Sequence, residues 1–159
     1  MTKKKYPSKF IGIDPGKTGG LAIIGDDTVK AYKCPRTVDD MSLLVGIALN
    51  GDAPEKVIVL MEKVWARPGN GVVSVWSFAE NYGTWKGIIA SYDLHLNLVS
   101  PQEWMKYYEI PKMEYRPRKA FLKDKARSMY PDLKKVTLST ADALLIARYA
   151  EIVHGNNSK

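Results

Sequence analysis

Phe10-Ile11-Gly12-Ile13-Asp14-Pro15-Gly16-Lys17-Thr18-Gly19-Gly20 joins an apolar, β-prone run to a sharp glycine turn and leaves a carboxylate at the junction. A strand ending this way delivers Asp14 to the rim of a sheet, a placement that suits a metal ligand. Val57-Ile58-Val59-Leu60-Met61-Glu62 repeats the device with Glu62. Ser139-Thr140-Ala141-Asp142-Ala143-Leu144-Leu145-Ile146-Ala147 sets a third acid, Asp142, at the start of an apolar helix. Three acids on three elements suggest a catalytic centre. Carboxylates brought together repel and raise one another's pKa unless a divalent cation such as Mg²⁺ neutralises them through oxygen ligands. Two such cations, roughly 4 Å apart, activate water and stabilise the leaving oxygen in phosphodiester hydrolysis.

Outward from this motif, residues 9–14, 20–24 and 28–33 read as a three-stranded meander, with Gly25-Asp26-Asp27 as one turn. The apolar spacing of Met41, Leu43, Leu44, Val45, Ile47, Ala48 and Leu49 predicts a helix that ends near Asn50-Gly51. Residues 56–62 are continuously apolar, as expected of a central strand covered on both faces. Pro68-Gly69-Asn70-Gly71 marks a loop, and residues 72–91 carry helical repeats in which Gly83 and Gly87 are expected to permit close packing. Trp76, Phe78, Tyr82 and Trp85 recur along that helix and are assigned to the core or a subunit interface. Leu94, Leu96 and Leu98 alternate with polar residues and predict a strand, and Pro101-Gln102-Glu103 opens a helix. Residues 109–117, with two prolines, read as irregular; 118–130 read as a basic helix and 140–153 as the last one. The order βββαβαβαα predicts an α/β fold, a mixed five-stranded sheet flanked by helices on both sides.

With 159 residues, 45% of them hydrophobic, the chain suffices for one domain, read as 1–155, with 156–159 a short polar tail. Lysine and arginine number 24 against 17 acids, and the formal charge of +7 favours a polyanionic partner such as nucleic acid. Arg118, Lys119, Lys123, Lys125 and Arg127 concentrate that charge, with Tyr115 and Phe121 interleaved, as expected of phosphate contacts. Cys34 is the only cysteine, which excludes an intramolecular disulfide and the usual zinc clusters and fits a reducing compartment. The basic start Met1-Thr2-Lys3-Lys4-Lys5-Tyr6-Pro7 lacks the apolar run of a secretory signal, and no stretch is long enough to span a membrane. A cytoplasmic protein is expected.

These residues together resemble the RuvC family of Holliday junction resolvases, within the RNase H-like nuclease superfamily. The resemblance covers nearly the whole chain. It rests on Gly12-Ile13-Asp14-Pro15-Gly16, the strand-end Glu62, the helix with Gly83 and Gly87, Val99-Ser100-Pro101, and Ala141-Asp142-Ala143-Leu144-Leu145-Ile146-Ala147. It implies an RNase H-like fold and a homodimer that binds four-way junctions and related branched DNA, in a bacterial cell or a phage-infected host. It also implies paired nicks made with Mg²⁺ or Mn²⁺, two ions per site, carried by Asp14, Glu62 and Asp142. In the family a fourth ligand, aspartate or histidine, lies one helical turn before the last acid. Here Ser139 stands there, and a hydroxyl is a poorer ligand, so the second ion is expected to bind weakly or through water. Trp65, three residues past Glu62, occupies the place of an aromatic wedge that stacks on junction bases, with Arg67 in the loop beside it. Lys123 resembles a family lysine near the scissile phosphate, and Lys106 resembles another.

Taken singly, each acid also has an ordinary reading. Asp-Pro-Gly is a common turn, Glu62 ends a strand, and Ser139 with Asp142 forms a helix start with serine as N-cap. Two other function classes stay open: a non-catalytic branched-DNA-binding protein of the same fold, and a fragment of an actin-like or sugar-kinase-type ATPase. The second is opposed by the lack of an internal repeat and of a second glycine-rich phosphate turn.

Overall fold

A computed structural model describes residues 7–25 and 27–155. The basic segment 1–6, Asp26 and the 156–159 tail lie outside the described residues. Five strands form one sheet: β1 (Lys9–Asp14), β2 (Gly20–Gly25), β3 (Thr28–Lys33), β4 (Val57–Glu62) and β5 (Leu96–Val99), in the order β3-β2-β1-β4-β5. β1, β2 and β3 pair antiparallel, whereas β4 runs parallel to β1 and β5 parallel to β4. The helices are α1 (Val38–Leu49), α2 (Val72–Ser91), α3 (Pro101–Tyr107), α4 (Tyr115–Met129) and α5 (Leu138–Gly155). This is the RNase H-like arrangement, a mixed five-stranded sheet with helices on both faces.

Strand side chains alternate between the two faces of a sheet, and the burial follows that period. Ile11, Ile13, Val59 and Met61 enter a core with Val45 of α1 and Trp85 and Ile89 of α2. Phe10 and Leu60 enter the opposite core, with Trp104 of α3, Leu122 and Ala126 of α4, and Ala143, Leu144 and Ala147 of α5. Asp14 shares its parity with Phe10, and Glu62 with Leu60, so both strand-end acids fall on the α5 side. Register brings them abreast, because Ile13 pairs with Met61 and the acids stand one residue further on.

Gly12 decides how close α5 comes. A Cβ there would run into the Ala143 carbonyl and the Ala147 backbone, so only hydrogen lets the helix rest on β1. Asp142 thereby meets the strand ends.

Several sequence expectations change. All three helices expected after β5 are present, so the order is βββαβαβααα, one helix more than the string βββαβαβαα counts. α4 starts at Tyr115, three residues before the predicted start, because Pro117 sits in the first turn, where a missing N–H breaks no helical bond. β5 starts at Leu96: Asp93 takes a left-handed φ of 56° and the Leu94 N–H bonds to the Ile89 carbonyl, so Leu94 closes α2 instead of opening the strand. Ser139 is not the N-cap of α5. The Thr137 carbonyl accepts from Ala141 N–H at 3.0 Å, and Thr137 N–H donates to Thr140 Oγ1 at 3.0 Å, which puts the helix start two residues earlier. Gly83 and Gly87 pack against nothing, since a Cβ at either would meet open space. Of the α2 aromatics assigned to the core or a subunit interface, Trp85 is fully buried in the core, whereas Trp76 is 73% exposed, which leaves it the interface alternative. No helix among the described residues is long and apolar enough to cross a membrane.

Candidate active site

Asp14, Glu62 and Asp142 line one cleft of about 830 Å³, walled on its other sides by Trp65 and Arg67 from the loop after β4, Phe78 and Tyr82 from α2, Met105 from α3, and Arg118 and Lys119 from α4. The acids are held individually. Asp14 accepts a long bond from Gly16 N–H, 3.4 Å, within the glycine turn. Glu62 accepts from the indole N–H of the fully buried Trp104 at 2.8 Å. Asp142 is 5% exposed; its Oδ2 accepts from Lys119 Nζ at 2.5 Å, while its Oδ1 is buried with no hydrogen-bond partner. Lys119 Nζ also stands 3.7 Å from Asp14 Oδ2.

Electrostatics follow from this crowding. Burial raises Asp14 above the usual carboxylate range; the Lys119 charge opposes the rise and the Asp142 charge adds to it. Glu62 is pushed up to about 7, first by burial, then by the charge of Asp14, with the Trp104 bond and Lys119 pulling the other way. Burial alone would lower Lys119, yet the neighbouring Asp142 and Asp14 charges outweigh it and raise it. Carboxylates perturbed by burial and by specific charge partners within a cleft make it a functional-site candidate.

The donor set suits a hard divalent cation. It offers oxygen ligands alone, an unpartnered buried oxygen on Asp142, and repulsion that positive charge would relieve. As they stand, however, no three acidic, histidine or cysteine side chains among the described residues are grouped closely enough to hold an ion. The positive charge between Asp14 and Asp142 is the Lys119 ammonium.

The remaining sequence candidates separate. Trp65, 57% exposed, and Arg67 stand at the cleft, as does Arg118. Lys119 was grouped with the DNA-contacting cations, but it is this lysine that reaches the acids; Lys123, assigned the catalytic place, lies one helical turn further along α4 and does not line the cleft. Lys106 is exposed on α3, and Lys125 stacks over the Tyr108 ring at 5.9 Å; neither lines the cleft. Ser139 is also absent from its walls, and its carbonyl instead packs beside Gly20.

Two residues that sequence reading passed over shape the site. Trp104 orients Glu62, and its signal was the Ser100 N-cap, whose side chain accepts from Glu103 N–H and so fixes the face of α3 that turns inward. Asn81 of α2 is buried and donates to the Pro15 carbonyl at 2.6 Å, pinning the turn that follows Asp14. A lone buried amide inside an apolar helix was the available sign.

A mixed sheet with carboxylates at the ends of two adjacent parallel strands and a third on the helix packed across them is a layout the RNase H-like fold provides. Among solved structures the chain is similar to RuvC of Thermus thermophilus in complex with a Holliday junction substrate, with a TM-score of 0.62 at 16% identity over 92% of this chain and 96% of the other. A further Thermus thermophilus RuvC structure gives a TM-score of 0.57 at 18% identity over 92% and 97%. No protein-family model and no curated protein sequence matches.

Proposed function

We propose that this protein is a metal-dependent, structure-selective endodeoxyribonuclease that resolves four-way junctions and related branched DNA by paired nicks, acting as a homodimer in the cytoplasm of a bacterium or a phage-infected host. The observation that carries this reading is the meeting of Asp14, Glu62 and Asp142 in one cleft whose mouth bears Trp65, Arg67 and Arg118. The fold shared with a structure holding a Holliday junction supports it.

Mg²⁺ or Mn²⁺ held by the three acids would supply Lewis-acid activation of water and neutralise charge at the phosphate. Ser139 lies off the cleft walls, so a second ion would depend on the carboxylates and water. Trp104 keeps Glu62 aimed into the cleft. Arg118 and Arg67 bind the phosphate backbone, a contribution that weakens as salt rises. Trp65 offers an exposed indole on which an unpaired base stacks, worth roughly 1–3 kcal/mol. Val72, Val73 and Trp76 at the start of α2, exposed at 85%, 82% and 73%, give the apolar surface for a second copy.

One observation favours a second reading, a junction-binding protein that does not cut: Lys119 bridges Asp14 and Asp142, and no three acidic, histidine or cysteine side chains among the described residues are grouped to hold an ion. A single assay separates the two. The full chain is incubated with a synthetic four-way junction and Mg²⁺ or Mn²⁺, and products are mapped at nucleotide resolution. Paired, ligatable nicks that vanish in Asp14→Asn, Glu62→Gln and Asp142→Asn, with junction binding retained, support the nuclease. Tight retention without nicks in either cation supports the binder.

A further inference from the structure

We propose that Lys119 is a resident counter-ion of the acid cluster: its ammonium holds Asp14 and Asp142 together in the metal-free protein, and a divalent cation enters only by displacing it. The inference rests on reading the three acids as a divalent-cation site, and it assigns to one side chain the control of that site's loading.

The geometry is that of an internal competitor. Lys119 Nζ lies 2.5 Å from Asp142 Oδ2 and 3.7 Å from Asp14 Oδ2, with side-chain exposures of 21% for the lysine, 6% for Asp142 and 16% for Asp14. Partial exclusion of water strengthens such a pairing well beyond a surface salt bridge. Among the described residues no other ion pair reaches Asp14 or Asp142. The ammonium therefore occupies the place, between two carboxylates on different elements, where a cation would balance the same charge. It does so incompletely. Asp142 Oδ1 keeps no partner, and a divalent ion would bring twice the ammonium's charge to the same oxygens.

The stem and the head of this lysine have different freedom. Leu122 and Ala126, three and seven residues on, are fully buried and fix this face of α4 against α5. The side chain beyond Cα turns about four flexible bonds. A second resting place is near: the exposed Tyr115 ring lies 6.0 Å from Nζ at the cleft wall, within reach of cation–π attraction. An incoming ion can thus push the ammonium toward the cleft mouth, where a DNA phosphate would take it up, without disturbing the helix. DNA arrival and ion loading would then assist each other, as linkage requires.

A competitor and a plain structural lysine predict different outcomes when the charge is removed. Loss of a structural ion pair weakens fold and site alike. Loss of a competitor weakens the metal-free fold but strengthens ion binding, because the carboxylates are left uncompensated. Lys119→Arg should do the reverse, since a guanidinium grips two carboxylates by its planar fork and yields less readily.

The test is isothermal titration of Mg²⁺ and Mn²⁺ into the full chain, without DNA, together with thermal melts in EDTA, for wild type, Lys119→Met and Lys119→Arg. The expected result is a Lys119→Met protein that melts a few degrees lower in EDTA yet binds Mg²⁺ roughly tenfold tighter than wild type. Lys119→Arg should bind it more weakly. Circular dichroism establishes folding, and Lys119→Gln replaces the methionine variant should that one fail to fold. A folded neutral variant that binds the ion no tighter than wild type overturns the inference, as does failure of every variant to bind either ion. If wild type nicks junctions while the neutral variant shows unchanged affinity, this inference falls and the nuclease reading stands. Tightened ion binding with no cleavage of any junction sinks the nuclease reading and leaves this one.

Discussion

Glu62 links burial to pH most directly. Its carboxyl moves from an ordinary value of 4.5 to about 7 because folding takes it out of water beside Asp14. The folded protein therefore holds this proton more tightly than the unfolded chain does. That contribution to stability is fully present below pH 4.5 and is lost as pH rises through about 7, amounting to at most roughly 3 kcal/mol. Denaturant unfolding in EDTA from pH 4 to 8 should show wild type losing stability relative to Glu62→Gln across this window; parallel curves would contradict it. Trp104→Phe removes the indole N–H that favours the charged carboxylate, so the Glu62 midpoint should rise above about 7, read by carboxyl ¹³C NMR. At this scale Asp14 and Glu62 stood out in the sequence only in company with Asp142, since each alone reads as an ordinary turn or strand end. Lys119 was not distinguishable from Lys123, since either lies on a basic helix and only the docking of Leu122 and Ala126 decides which turn faces the acids.

Among the elements, α5 and β1 set the position of the third acid. Gly12→Ala would drive a methyl into the Ala143 carbonyl and the Ala147 backbone, a steric conflict that rotamers cannot relieve because both sides are main chain. We expect a loss of about 1–3 kcal/mol in denaturant unfolding, with Asp142 displaced from Asp14 and junction cleavage reduced more than junction binding. Gly87 on α2 is the opposite case. It is exposed and a Cβ there meets nothing, so Gly87→Ala should stabilise by about 0.5–1 kcal/mol with binding unchanged; a destabilised variant would show that the position has an unseen neighbour. The contrast explains what the sequence could reveal about elements. Continuous apolar runs, one alternating stretch and helical apolar spacing located the strands and most helix bodies, whereas the same residue type, glycine, packs tightly in β1 and idly in α2. Ends were harder: the α4 start was hidden by Pro117, which looks like a breaker but sits where helices accept proline, and the α5 start by Ser139, which resembles a cap two residues too late.

Across the whole molecule, the cleft carries Arg67, Arg118 and Trp65 on its walls and α2 presents apolar surface beside it. On the proposed function, the net charge of +7 would draw DNA in, and Arg67, Arg118 and Trp65 at the cleft would select where it sits. Paired nicks need two such clefts held in fixed relation, and one twofold axis supplies that relation with a single self-complementary patch. Val72, Val73 and Trp76 are the most exposed large apolar side chains among the described residues, and they cluster at the start of α2. Water contact of that extent is costly unless a partner covers it, each such side chain being worth about 1.5–3 kcal/mol on full burial. Trp76→Glu sets a charge in the centre of the patch on both copies, so the proposed dimer would carry two like charges across its axis. Light scattering after size exclusion should then show wild type at twice the chain mass and Trp76→Glu at one chain mass, with the fold intact by circular dichroism. On a junction the variant should release single, uncoordinated nicks or none, since each cleft would act alone. A wild-type chain that is monomeric both free and on junction DNA would remove α2 from the interface and require the two cuts to be coordinated by the DNA itself.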